Sequence, residues 1–147
     1  MTQILPLAEV RRGLAQASGL PAVLSASFDA FAAMLALLRE QEDRAGPGFA
    51  AFALAAASAA NGRDAIAFAP SLPSAGPGHA TPASKVLHAS PPAVSVAAEL
   101  GELARVLASY LEDAAASAVD PGDRKTCQDG ARHATAVSAL LTGTAQP

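Results

Sequence analysis

Apolar side chains recur at intervals of three and four residues along most of the chain, which is the spacing of one buried face of an α-helix. The clearest run is Leu24, Phe28, Phe31, Leu35 and Leu38. Four other stretches show the same spacing. The pattern predicts five helices, over about 7–18, 22–43, 49–61, 94–118 and 121–142.

Proline and glycine divide these helices into pairs. Gly46-Pro47-Gly48 and Asp120-Pro121 leave only short connections, so each helix folds back antiparallel to the one before it. Residues 70–92 are rich in proline and cannot be regular helix, and we expect this loop to be a long crossover connection. The sequence predicts an all-α fold, namely an antiparallel four-helix bundle with a short extra N-terminal helix in one domain, residues 1–147.

The third predicted helix carries no charge between Phe49 and Ala60 and is apolar on every side. We expect neighbouring helices, or a second copy of the chain, to cover it all round. Its 12 residues are too few to cross a bilayer, which takes about 20. Asn61-Gly62 predicts its end, because both residues tolerate the left-handed conformation of a helix C-terminus.

The residues after this predicted end have two interpretations each. Arg63 and Asp64 form a charged corner that suits a ligand, although any capped helix also presents such a corner. The alternation of small and large residues over 65–69 predicts a short extended segment with Ile66 and Phe68 on one surface. Continued helix is the alternative.

Composition limits how the interior is built. Alanine accounts for 39 of the 147 residues, aromatic residues make up 4%, and tryptophan is absent. The core must therefore consist of small side chains, which allow helices to approach closely but bury less apolar area per residue. Association with a second copy would add buried area, and the sequence predicts a homodimer.

Charge and cysteine content narrow the class of protein. A net charge of −3 without a basic cluster argues against binding to nucleic acid. One cysteine, Cys127, excludes an internal disulfide, and the N-terminus has no basic start followed by an apolar run of signal length. We expect a cytoplasmic protein without membrane contact.

The last helix holds the densest group of reactive side chains. Cys127 lies near Arg124, Lys125 and a helix N-terminus, which favour the thiolate, but it also lies on the apolar face, where a cysteine is buried and inert. A general base would have to be His79 or His88 of the loop, because His133 lies well around the helix.

Asp129 and His133 are four residues apart, as metal ligands often are. Two ligands do not make a site, and the Glu-x-x-His element of carboxylate-bridged metal bundles does not occur. A surface ion pair is the expected role of Asp129. The sequence predicts neither a metal site nor a cofactor, and it contains no established catalytic motif.

Two functional hypotheses remain. The first is a non-enzymatic helical module that self-associates and binds another protein, through the second helix and the C-terminal helix pair. The alternative is a small-molecule-binding or catalytic bundle with Cys127 or His133 as its reactive group and the loop as a lid. Its pocket would be lined by Phe28, Phe52 and Tyr110.

Overall fold

The computed structural model describes residues 5–44, 49–73 and 93–145, and every regular element in these ranges is an α-helix. The helices are α1 (Leu5–Gln16), α2 (Leu20–Asp43), α3 (Phe49–Ala67), α4 (Ala93–Ser117) and α5 (Pro121–Ala145). The all-α prediction is confirmed, and the bounds of four helices agree with the prediction to within three residues. Residues 74–92 of the predicted loop lie outside the described residues.

Each helix packs against particular neighbouring helices. The α4 and α5 helices share the largest interface, α3 packs against α5 and α2, and α2 also contacts α4. The short α1 lies against α2 and α4, where the Arg11 guanidinium donates to the Glu99 carbonyl over 3.3 Å. In the described part of the chain the backbones of α3 and α4 do not come close to each other, so the helices that flank α3 are α2 and α5.

Contacts between individual residues show the relative directions of the helices. Ser71, just after α3, bonds to Asp123 in the first turn of α5, while Ile66 of α3 lies beside Gly130 further along α5. The two helices are therefore antiparallel. Leu111 likewise lies beside Gly130, and Gly101 lies beside Leu141. The α4 and α5 helices are therefore antiparallel as well.

Leucine and alanine build the interior, as the composition predicts. Phe31 is the only aromatic residue among the largest completely buried side chains of the described residues, and most of the others are leucines. Alanines with no exposed surface lie between the helices: Ala30, Ala55, Ala59, Ala97, Ala104 and Ala134. A methyl side chain at a helix contact permits axes to approach to the short end of the usual 8–10 Å range.

The predicted end of the third helix is wrong, because α3 continues through Asn61-Gly62 to Ala67. Gly19 is the one glycine of the described residues with a positive φ, so Gly62 does not act as a left-handed cap. Instead, Gly62 faces the ring of Phe31, and a Cβ placed there would lie only 2.5 Å from Cζ of that ring. The glycine permits close approach of α2 and α3.

The extended segment predicted over 65–69 is also wrong. Helix α3 continues to Ala67 and a turn follows it. Side chains that are two positions apart on a helix point in widely different directions. Accordingly, Ile66 is completely buried whereas the side chain of Phe68 is 83% exposed.

Among the described residues, the neighbouring helices of the chain leave one side of α3 exposed, and cover of that side by a second copy stays a prediction. Of the described helices, α2 and α5 pack against α3, and Ala50, Leu54 and Ala57 remain exposed, with Leu54 at 58%. We call these three residues the open face of α3. The open face is an uncharged strip on the surface of the single chain.

Candidate functional site

Two of the three aromatic residues of the predicted pocket, Phe28 and Phe52, lie far apart. Phe28 of α2 and Tyr110 of α4 are half-buried, and Phe52 of α3 is buried. Phe28 lies within one turn of Phe31, which contacts Gly62, whereas Phe52 lies ten residues before Gly62, or roughly 15 Å along α3. Tyr110 lies on α4, which contacts α2. The described structure therefore separates Phe52 from Phe28, and these two side chains do not line one compact pocket.

The predicted charged corner is part of a regular helix. Because α3 continues past Gly62, Arg63 and Asp64 lie within it and not at its end. The Arg63 guanidinium and the Asp64 carboxylate are 3.4 Å apart at the surface. An exposed pair of this kind contributes little to stability and is a common surface feature.

Cys127 does not have the character of a nucleophile. Its side chain has no exposed surface, and burial, together with the negative charge of Asp123, raises the pKa of the thiol to about 11. The nearby cations do not activate the thiol, for a geometric reason. Lys125 points outward and pairs with Asp129, and the Arg124 guanidinium donates to the Ala118 carbonyl over 3.0 Å.

Asp129 is the centre of a surface ion-pair cluster. Its carboxylate accepts from Lys125 at 2.8 Å and lies 3.4 Å from the Arg132 guanidinium. The hydrogen bond from Lys125 lowers the pKa of Asp129. Half-buried His133 lies one turn further on, and His79 and His88 lie outside the described residues. No group of three potential metal ligands occurs among the residues that the structure describes.

A buried carboxylate joins the end of α3 to the start of α5. Asp123 is almost completely buried and accepts two hydrogen bonds from Ser71, one from the backbone N–H at 3.0 Å and one from the hydroxyl at 2.5 Å. Asp120 caps α5 by accepting hydrogen bonds from the N–H groups of Gly122 and Asp123. The link between Ser71 and Asp123 could not be found from the sequence, because 52 residues separate the two.

Two adjoining grooves run along the outer seam between α4 and α5. The first has a volume of about 580 Å³ and the second about 380 Å³, and they share Glu112 and Thr135. The residues lining the first groove are Glu112, Ala115, Ala116, Arg124, Gln128, Ala131, Arg132 and Thr135. The remaining lining residues, in the second groove, are Arg105, Ala108, Ser109, Ser138 and Ala139. We call this combined depression the α4/α5 groove.

Helix α2 is relevant to the prediction that the protein does not contact a membrane. Of the described helices, it is the one long and apolar enough to cross a membrane by length and composition. Core helices of soluble proteins pass the same test, and 44% of the most apolar window of α2 is buried inside the protein. This is weak evidence for a membrane span.

In comparisons with known proteins, the chain matches no family model, no curated protein and no solved structure.

Proposed function

We propose that this protein is a non-enzymatic helical module that self-associates and binds another protein. The observation that carries the proposal is the open face of α3, where the uncharged residues 50–57 leave Leu54 more than half exposed. An apolar strip of this kind on a helix is a typical surface for a partner helix. Cys127 supports no competing catalytic proposal, because its side chain is buried and its raised pKa keeps the thiol protonated.

The scaffold for this function is inferred to be an antiparallel four-helix bundle. Helices α2, α3, α5 and α4 contact one another in that order, and α2 in turn contacts α4, which closes the circle. The antiparallel directions of α3, α5 and α4 support this topology, with α1 as the additional short helix. The crossover that would connect α3 to α4 belongs largely to residues 74–92, outside the described residues.

The partner-binding part of the proposal is tested with a photo-crosslinking amino acid at Leu54 in the cell of origin. We expect crosslinking to a second, different protein, and we expect Ala57→Glu in the same chain to abolish it, because a charge on the open face would have to lose its hydration. The matched control places the crosslinker at Ala98, an exposed residue on α4. Equal crosslinking from both positions, or none from Leu54, would reject a partner at this face.

Self-association is tested by native mass spectrometry across a range of protein concentrations. A mass of two chains is expected, and a single-chain mass at every concentration would reject this part. Exposed positions are the informative ones to vary. Phe31 and Leu107 are completely buried, so a charge at either position would unfold the protein and reveal nothing about assembly.

A further inference from the structure

The α4/α5 groove has the shape and surface of a helix-docking site. Its floor and walls carry alanine or serine at seven positions: Ala108, Ser109, Ala115, Ala116, Ala131, Ser138 and Ala139. On α4 the groove extends from Arg105 to Ala116, which is roughly 17 Å of helix. Small side chains over three turns leave room for the ridge of another helix to enter.

Two of the charges along the groove have no opposite charge beside them. Arg105 is bonded to Glu102 at 2.6 Å, and Arg132 lies 3.4 Å from Asp129, so these two cations are paired within the chain. By contrast, neither Glu112 nor Arg124 has an ion-pair partner among the described residues. Both line the first groove, Glu112 from α4 and Arg124 from α5.

The positions of these two charges suit a two-fold contact. Leu111 is level with Gly130 across the seam, because a Cβ on Gly130 would lie 3.1 Å from Leu111 Cδ1. Glu112 is therefore level with residue 129, and Arg124 lies five residues, or about 7–8 Å, further along the same seam. A two-fold axis midway between these levels places Glu112 of one copy near Arg124 of the other, and the symmetry repeats the pair.

We propose that the α4/α5 groove is the contact surface with a second copy of this chain. The proposal rests on the self-association proposed above and names the surface that forms it. Two α4–α5 pairs face each other, alanine contacts form the centre of the interface, and two Glu112–Arg124 ion pairs flank it. No residue of α3 lines this groove, so the open face of α3 stays available to a different protein.

Charge reversal tests this arrangement, with the dimer dissociation constant measured by sedimentation. Glu112→Arg and Arg124→Glu, each alone, are expected to weaken the dimer more than about tenfold, because each turns two attractions into two repulsions. The double reversal restores both pairs with exchanged signs and should recover most of the wild-type affinity. Folding should persist in all three proteins, since both residues are exposed and each reversal suits the dipole of its helix end.

Two further variants distinguish this surface from others. Glu9→Arg reverses an exposed charge on α1 and should leave the dimer unchanged. Ala57→Glu on the open face of α3 should likewise leave it unchanged. The proposal is overturned if Ala57→Glu dissociates the dimer, if the single reversals have no effect, or if the double reversal is as weak as the singles. Each of these results leaves self-association intact, whereas a wild-type protein that is monomeric throughout rejects both.

Discussion

Replacing Gly62 with alanine sets two opposing effects of one methyl group against each other. Gly62 lies inside α3, where alanine is favoured over glycine by about 1 kcal/mol. The added Cβ, however, would lie 2.5 Å from Cζ and 2.8 Å from Cδ1 of Phe31, well inside van der Waals contact. The ring is completely buried and has no free space to move into.

The magnitude follows from these two contributions. Overpacking a core typically costs about 1–3 kcal/mol of stability. The new methyl group of Gly62→Ala would touch several atoms of a rigid, buried ring, so we place its overpacking cost at about 3 kcal/mol. Subtracting the gain in helix propensity of about 1 leaves a net loss of about 2 kcal/mol. For a chain of this length that corresponds to a melting temperature lower by about 4–8 °C.

Two other helical glycines provide matched controls for the same substitution. At Gly101 the new Cβ would meet Leu141 Cβ at 3.6 Å, an ordinary contact, so Gly101→Ala should stabilise the protein by about 1 kcal/mol. At Gly130 the nearest atoms are terminal methyls of Ile66 and Leu111 at 3.0 and 3.1 Å. These flexible ends can shift, and we expect a change near zero.

Urea unfolding followed by circular dichroism gives the free energy of unfolding for each variant. From the most to the least stable protein, the expected order is Gly101→Ala, Gly130→Ala and Gly62→Ala. Repeating Gly62→Ala in a Phe31→Leu background isolates the clash, because removal of the ring should reduce its cost by about 1 kcal/mol or more. A Gly62→Ala protein as stable as the wild type, or a cost unchanged without the ring, would refute the reasoning.

Two further predictions concern the polar and reactive groups at the start of α5. Thiol reagents should label Cys127 slowly in the native protein and at an ordinary rate after unfolding; equal rates would contradict its burial. Because its pKa is raised in the folded state, stability should be unaffected below the ordinary value of 9.0 and fall as the pH rises towards 11, a decline that Cys127→Ala should reduce. Asp123→Ala leaves both Ser71 donors without an acceptor and should cost about 1.5–3 kcal/mol in urea unfolding. Ser71→Ala keeps the backbone bond and should cost less, so equal costs would argue against the described geometry.

Much of the fold is predictable because the spacing of apolar residues along the sequence indicates which side of a helix is buried. In α2, four of the five residues of the run that predicts the helix are buried, and Asp120 fixes the start of α5 through local hydrogen bonds. The end of α3 is a different case. A glycine that caps a helix and a glycine that admits a neighbouring ring look the same in sequence, and only the position of Phe31 distinguishes them.

The candidate site is less predictable, because its properties depend on residues distant in sequence. The cations beside Cys127 suggest an activated thiol, but their directions and the burial of the sulfur reverse the sign of the pKa shift. The partner of Asp123 is on another helix end, and the α4/α5 groove exists only once two helices are aligned. In each case the local pattern omits the neighbour that decides the chemistry.

The alanines between the helices also affect what folding costs in entropy. Alanine has no side-chain rotamers to lose, whereas a leucine or isoleucine loses about 0.5–1 kcal/mol of rotamer freedom on burial. Ala30, Ala55, Ala59 and Ala134 therefore reach their buried positions without that loss. The smaller hydrophobic gain of this interior is matched by a smaller loss of disorder, and most of the entropy that folding removes is that of the backbone.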